Sequence, residues 1–281
     1  MTTDQPDPTL TDAQNGDIHA FQRLFAAFQP QLKSYLYRLT ADRDDADDLA
    51  HDTFIRAFDK LRTFAGESSF KTWVFQIATH LAYDHLKKRR RWTTDVKARA
   101  KELCMTDQTV YAAIDRVGQA SGEGAYDLKE HINHCFTCMS KTLAIEKQVV
   151  LILVDIYDFA VREVALILDK SPDVVKHLLS DARQTMMIIF EQRCALINKN
   201  GVCHQCSELN GWFNPKQNRQ QALNKLDLVR GSQKYDRETL FAMRTTLIKA
   251  LDPLRGRGAA LQDMLMRCDR LAMGEVSGMN Y

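Results

Sequence analysis

Long apolar runs, strand patterns and export signals are all missing from this sequence. The longest apolar run, Val149–Val154, stops after six residues at Asp155, whereas a membrane span needs about 18. The first ten residues carry Asp4 and Asp7 and lack a basic segment followed by an apolar one. We therefore expect a cytoplasmic chain without membrane insertion.

Glycine and proline are scarce as well, and no run of alternating β-branched residues lies between turn dipeptides. With 12 glycines and 6 prolines in 281 residues, little interrupts the three- and four-residue spacing of apolar positions. The length suits about two domains, and 45% hydrophobic with 26% charged residues describes a soluble globular protein. Together these features predict an all-α fold.

Catalytic metal motifs are absent too. No HExxH motif or comparable set of ligands with a nearby base occurs, which disfavours a zinc hydrolase. We therefore expect a protein that is not an enzyme. Its seven cysteines, in a reducing compartment, are more consistent with thiols, metal ligands or oxidant sensors than with a disulfide framework.

Charge is nearly balanced overall, at +2, but it is unevenly distributed along the chain. Asp42–Asp52 contains six aspartates and one arginine, whereas Lys87–Arg91 is a run of five consecutive cations. Two poles of opposite charge about 40 residues apart favour two different partners, one basic and one acidic.

The apolar spacing predicts three helices near the N-terminus, over Phe21–Leu39, Leu49–Leu61 and Phe70–Leu86. The first is expected to be interrupted near Pro30, and the third to be capped by Ser68 or Ser69. From residue 93 to 126 the pattern weakens and glycines cluster, which predicts a linker with little fixed structure.

Farther on, the pattern predicts a helix, a tight turn and a second helix between residues 143 and 189. Ser171 followed by Pro172 is a strong start signal for the second of these helices, because serine caps an N-terminus and proline suits the first helical position. A cysteine-bearing segment follows Gly201, and a further amphipathic stretch runs from Glu238 to Leu271.

Several linked segments resemble the extracytoplasmic-function (ECF) class of bacterial RNA polymerase sigma factors. Asp45–Phe54 is similar to a helix of that family's region 2, and Phe70–Ala78 to its promoter-melting segment. Val161–Ala165 and Val174–Lys176 are similar to its region 4. The resemblance extends from Gly16 to Arg193, with the segments in the family's order.

The resemblance implies two helical domains that bind core RNA polymerase and promoter DNA and direct promoter recognition and opening, with an anti-sigma factor as a further candidate partner. The expected division is an N-terminal tail (1–16), sigma region 2 (17–92), a linker with HxxxCxxC (93–140), sigma region 4 with its helix-turn-helix (141–198), and a helical C-terminal extension with CHQC (199–281).

Candidate contacts follow from the charge pattern, the helix-turn-helix and the family. For the upstream promoter element they are Asp173, Val174, Lys176, His177, Ser180 and Arg183. For the downstream element and melting they are Phe64, Lys71, His80, Lys87, Lys88, Arg89, Arg90 and Arg91, while Phe70 and Trp73 are expected to be core. For the polymerase they are Asp44, Asp45, Asp47, Asp48 and Asp52. A plain surface helix and a solvated acidic helix start are the alternatives.

A second set of candidates concerns metal. His131, Cys135 and Cys138 have HxxxCxxC spacing, which resembles the zinc motif of anti-sigma factors, and Cys203 and Cys206 form a CxxC pair. Two such pairs could complete a tetrahedral zinc site, so zinc is the candidate ion, although no cofactor is expected to be required. Redox-sensitive thiols and buried apolar cysteines stay open as alternatives. Isolated cysteines expected to be structural are Cys104, Cys194 and Cys268.

The main competing function is a metal- or redox-sensing helix-turn-helix regulator that acts without the polymerase core. Such a regulator needs neither the acidic helix nor the aromatic and basic segment between Phe64 and Arg91. Those two features therefore favour the sigma factor.

Overall fold

α-Helices are the regular structure of this chain over residues 8–122 and 124–279, the part that the computed structural model describes. Besides the α-helices, that part contains a short 3₁₀ helix, Leu61–Thr63, and an isolated bridge between Cys194 and Cys203. The predicted all-α fold is confirmed. No helix in the same part of the chain has the length and apolarity needed to cross a bilayer.

The first five helices surround a core rich in phenylalanine. Their bounds are α1 Pro8–Gln14, α2 Ile18–Ala26, α3 Gln29–Thr40, α4 Arg43–Lys60 and α5 Phe70–Leu86. The rings of Phe21 and Phe25 lie 4.9 and 5.1 Å from the ring of Phe54, so α2 and α4 are joined through aromatic contacts.

The ends of these helices follow the local sequence. α2 ends before Pro30, whose missing N–H falls in the first turn of α3, so the predicted interruption is confirmed. The Asp42 carboxylate accepts the N–H of Asp45 at 2.9 Å, and the Ser69 hydroxyl accepts that of Thr72 at 3.0 Å. Of the two predicted caps, Ser69 is the one used.

The predicted N-terminal tail, residues 1–16, is wrong from Pro8 onward, and residues 1–7 lie outside the described part. α1 packs on the bundle, where Ala13 is buried and Gln14 Nε2 donates to the Phe64 carbonyl oxygen at 3.2 Å. At seven residues, α1 is too short for a helical period to stand out in the sequence.

The predicted linker, residues 93–140, is wrong as well, because three helices occupy it. They are α6 Val96–Thr106, α7 Gln108–Ala120 and α8 Leu128–Ser140. Three buried residues, Ala100 of α6 with Val110 and Ile114 of α7, anchor these two helices. They complete a core with residues more than 140 positions later in the chain, among them Leu261 and Leu265. A local pattern cannot reveal a partner so distant.

Three further helices form the helix-turn-helix unit: α9 Ile145–Asp155, α10 Val161–Leu168 and α11 Pro172–Arg193. The chain turns at Asp169, whose φ of 53° is left-handed, and the Ser171 hydroxyl accepts the N–H of Val174 at 3.3 Å. The predicted cap and the predicted start of α11 at Pro172 are confirmed.

The C-terminal extension supplies the last five helices, α12 Gln205–Phe213, α13 Arg219–Asn224, α14 Asp227–Gly231, α15 Arg237–Lys249 and α16 Ala259–Ala272. α16 packs on α6, α7 and α8, and α15 packs on α8 and α11. The extension also reaches α3, because Tyr37 donates to Asp263 at 3.1 Å and Ser34 donates to Asp252 at 2.6 Å. It is therefore integral to the fold.

Candidate polymerase and DNA interfaces

The start of α11 presents a polar face to solvent. The exposed residues are Asp173, Val174, Lys176, His177 and Ser180. Beneath them Val175, Leu179 and Ala182 are buried and Leu178 is half-buried, so the helix is anchored by one stripe only. This is the arrangement that a recognition helix needs to enter a major groove.

Arg183, another predicted DNA contact, is used inside the protein. Its Nε donates to the Asp155 carboxylate at 2.9 Å and its Nη2 at 2.5 Å, in a bidentate pair that ties α11 to α9. Its guanidinium fork is therefore occupied, and its role is to position α11.

The predicted melting segment places its aromatic residues differently from expectation. Phe64, predicted to contact DNA, is buried, with its ring 5.2 Å from that of Trp73. Phe70 and Trp73, predicted to be core, are half-buried at the edge of the same cluster. The sequence could not distinguish these rings, because all three lie within one stretch of ten residues.

Helix α10 covers part of the same segment. The Lys71 ammonium lies 4.6 Å from the centre of the Phe159 ring, Thr72 donates to Glu163 at 2.9 Å, and Gln76 donates to the Leu166 carbonyl oxygen at 3.0 Å. Burial lowers the pKa of Lys71. The two units predicted to be separated by a linker are thus packed against each other, with the predicted contact Lys71 between them.

The basic run at the end of α5 is divided between solvent and the interior. His80, Lys87, Lys88 and Arg90 are exposed. Arg89 instead donates to Asp45 at 2.9 Å.

Arg91 is the other cation of that run that points inward. Its Nε donates to the Leu143 carbonyl oxygen at 2.6 Å, and burial lowers its pKa to about 10. Two of the five predicted DNA contacts in this run therefore have structural roles, and their partners lie far away in the sequence.

The acidic start of α4 presents a stripe. Asp44, Asp48 and Asp52 are exposed and lie four residues apart, which places them on one face. Asp47 is also exposed but pairs with Lys33 at 2.8 Å. Asp45, predicted to bind polymerase, is half-buried.

Asp45 lies beside three basic side chains of the protein itself, Arg89 at 2.9 Å, His85 at 3.3 Å and Arg270 at 3.6 Å. Arg270, on α16, also pairs with Asp42. The interface available on this face is therefore the Asp44, Asp48 and Asp52 stripe.

Cys138 lies apart from the other predicted metal ligands. His134, Cys138 and Asp269 form a buried cluster whose ligand atoms lie within 4.8 Å of one another. The Lys97 ammonium occupies that cluster, 2.5 Å from Asp269 and 2.6 Å from His134 Nε2. Because the Lys97 ammonium already pairs with the Asp269 carboxylate, this group is an internal ion-pair network. Cys138 belongs to that network and is not one of the candidate zinc ligands.

The remaining predicted ligands do meet. His131, Cys135, Cys203 and Cys206 line one cavity of about 30 Å³, and Cys194 joins them there. Burial raises the pKa of Cys135 to about 12. Sequence reasoning missed Cys194, although its position nine residues before the CxxC pair was the available signal.

Comparison with known proteins agrees with this geometry. Residues 24–92 match the family model Sigma-70 region 2, which spans α3, α4 and α5. The RNA polymerase sigma-H factor of Pseudomonas aeruginosa is 34% identical over 103 residues, covering 36% of this chain and 53% of that protein. The ECF RNA polymerase sigma factor SigX of Bacillus subtilis is 30% identical over 113 residues, covering 34% and 58%. Residues 24–92 are therefore similar to region 2 of sigma factors, and both of these relatives are sigma factors.

The chain spans a little more than half the length of these two relatives, 53% and 58%. RNA polymerase sigma factor YlaC of Bacillus subtilis aligns more completely, at 28% identity over 171 residues, 58% of this chain and 88% of that protein. A solved structure of CnrH in complex with the cytosolic domain of CnrY covers 65% of this chain at 20% identity with a TM-score of 0.46, too slight a likeness to carry an argument.

Proposed function

We propose that this chain binds core RNA polymerase and directs promoter recognition and DNA opening at transcription initiation, with no chemistry of its own. The observation that carries the proposal is the presence, in one chain, of a region 2 domain and a capped helix-turn-helix with an exposed recognition face. The place of action would be the cytoplasm, where polymerase and DNA meet.

Each partner has a surface of suitable charge. The Asp44, Asp48 and Asp52 stripe suits a basic protein surface and repels DNA, so we assign it to the polymerase. The start of α11 would read the upstream element in the major groove. His80 and the exposed cations Lys87, Lys88 and Arg90 would serve the opened strand, whose phosphates they neutralise.

The match to region 2 favours one of the two functions that the sequence left open. A helix-turn-helix regulator acting without polymerase has no use for a polymerase-docking domain, so this alternative is disfavoured. An anti-sigma partner stays a prediction.

The proposal predicts that charge reversal of the acidic stripe weakens assembly. The triple variant Asp44→Lys, Asp48→Lys, Asp52→Lys should lose at least about tenfold in affinity for core polymerase, because three favourable contacts become repulsive. Affinity is measured by fluorescence anisotropy of the labelled full-length chain at increasing core concentration.

The matched control reverses three exposed carboxylates elsewhere, Glu102, Glu191 and Glu238. It changes the net charge equally and should bind core as the wild type does. Equal weakening in both triple variants would assign the effect to net charge and remove the stripe from the interface.

A further inference from the structure

Four cysteines from distant parts of the chain surround one small cavity. Cys135 comes from the middle of α8, Cys194 follows α11, and Cys203 and Cys206 flank the start of α12. The cavity, about 30 Å³, is lined by all four and by the buried Arg244. Its position joins the helix-turn-helix unit to the C-terminal extension.

The loop between Cys194 and Cys203 has a backbone built to bring its ends together. Cys203 donates its N–H to the Arg193 carbonyl oxygen at 2.8 Å, and Ala195 donates to that of Cys203 at 3.1 Å. A Cβ at Gly201 would lie 2.7 Å from Ala195 N and from the Cys194 carbonyl carbon, so glycine alone fits there. The loop therefore holds Cys194 beside the CxxC pair.

The CxxC pair lies at the start of α12, with Cys203 two residues before the helix and Cys206 in its first turn. Burial raises the pKa of Cys203, and the backbone N–H of Gln205, the first residue of α12, acts in the opposite direction. Two cysteines three residues apart at a helix start can both reach one ion, which is the usual role of this spacing.

Arg244 provides an independent sign of negative charge in the cavity. Its side chain is 1% exposed and stacks 3.8 Å over the Phe190 ring, and its Nη2 donates to Cys194 Sγ at 3.6 Å. Its Nε has no hydrogen-bond partner, and over residues 8–122 and 124–279 no carboxylate pairs with it. A guanidinium is charged at every accessible pH, and leaving it buried without an anion costs several kcal/mol.

We propose that Cys135, Cys194, Cys203 and Cys206 bind one zinc ion as four thiolates, with Arg244 balancing the negative charge of the centre. Four thiolates carry more negative charge than Zn²⁺ carries positive charge, so the complex is an anion. It would supply the negative partner that the buried Arg244 guanidinium otherwise lacks. The four thiol protons leave to solvent on binding. Tetrahedral sulfur coordination selects zinc among the available divalent ions.

His131 also lines the cavity, but the four thiols complete a tetrahedral set without it. Its Nδ1 is hydrogen-bonded to Gln262 at 3.2 Å, and its ring stacks 5.1 Å from that of His134. The four sulfurs surround the cavity more loosely than ligands surround an ion, since the tight ligand group in the described part is the one that Lys97 fills. Rotation of the cysteine side chains onto the ion is therefore part of binding.

The test measures metal in the full-length chain purified without chelator. We expect about one zinc per chain by inductively coupled plasma mass spectrometry, and loss of most of it in each serine variant of the four ligands. The control variants carry serine at the cysteines outside the cavity, Cys104, Cys138 and Cys268, and should keep the ion.

A serine variant could lose zinc because it fails to fold, so a second measurement uses cobalt absorption in the wild type and in variants that keep all four cysteines. Cobalt added to the metal-depleted wild type should give the visible bands of a tetrahedral thiolate complex, and His131→Gln should leave them unchanged. Arg244→Leu should keep the bands but weaken cobalt affinity about tenfold or more, because the anionic centre loses its buried counter-charge.

A wild-type chain without zinc and without cobalt bands overturns the proposal. So does a disulfide between Cys194 and Cys203 in the chain isolated under reducing conditions. If Cys194→Ser keeps the ion and His131→Gln loses it, His131 is a ligand in place of Cys194, which contradicts the four-thiolate assignment. Metal content is measured without polymerase, so this proposal and the proposed function can fail separately.

Discussion

Replacing Asp269 with alanine is expected to lower the free energy of unfolding by about 3–5 kcal/mol. Asp269 is 1% exposed and holds three buried groups together, the Lys97 ammonium at 2.5 Å, His134 Nε2 at 2.8 Å and the Cys138 thiol at 3.1 Å. Its removal leaves the Lys97 charge buried without an anion. The ion pair joins α6 to α16, so its loss should weaken the packing of α16 on α6.

Guanidinium unfolding followed by circular dichroism measures this change. The control is Asp95→Ala, which removes an exposed pair with Arg99 and should cost no more than about 1 kcal/mol. The double variant Lys97→Met, Asp269→Leu should regain most of the loss, because an apolar pair of similar size tolerates burial. A loss below about 1 kcal/mol in Asp269→Ala would mean that water reaches Lys97.

Replacing Phe159 with alanine is expected to increase the rate of promoter opening by roughly tenfold, through a shift from docked to undocked chains. The Phe159 ring is buried between α5 and the helix-turn-helix unit, 4.8 Å from the Phe75 ring and beneath the Lys71 ammonium. Its loss removes about 3–5 kcal/mol of packing, part of which holds α10 over α5. With α10 released, Lys71 becomes available to DNA.

Opening is measured by permanganate footprinting with core polymerase over time. Gln76→Ala, which deletes only the bond to the Leu166 carbonyl oxygen, should act in the same direction with a smaller effect. Phe25→Ala removes an equally buried ring inside the first bundle and should reduce stability without faster opening. If the Phe159→Ala chain folds but opens promoters more slowly or at the same rate, α10 does not shield Lys71 from DNA.

Features that depend only on a few neighbouring residues were predictable from the sequence. Ser69 and Ser171 cap helices where a short polar side chain meets the first turn, and Pro30 interrupts where its missing N–H can be tolerated. The polar face of α11 followed from the same local rules. These features depend on contacts within about four residues, which spacing alone reveals.

Features that depend on distant partners were not predictable. In the sequence, Arg89 and Arg91 belong to a basic run and Asp45 to an acidic run, which favours contacts with other molecules. In the structure all three bind residues of the protein itself. Their partners lie between 44 and 225 positions away, so charge patterning could not show them. The helices α6 and α7 were missed for the same reason, because the surface that buries them is on α16.

Transcription by core polymerase with and without the full-length chain, on a library of promoter sequences, tests the central claim most directly. A sigma factor predicts stable association with core and transcripts from a defined class of promoters, with weaker initiation from those promoters when Lys176 and His177 are replaced by alanine. Absence of association with core, together with no promoter-dependent transcript, would contradict the account.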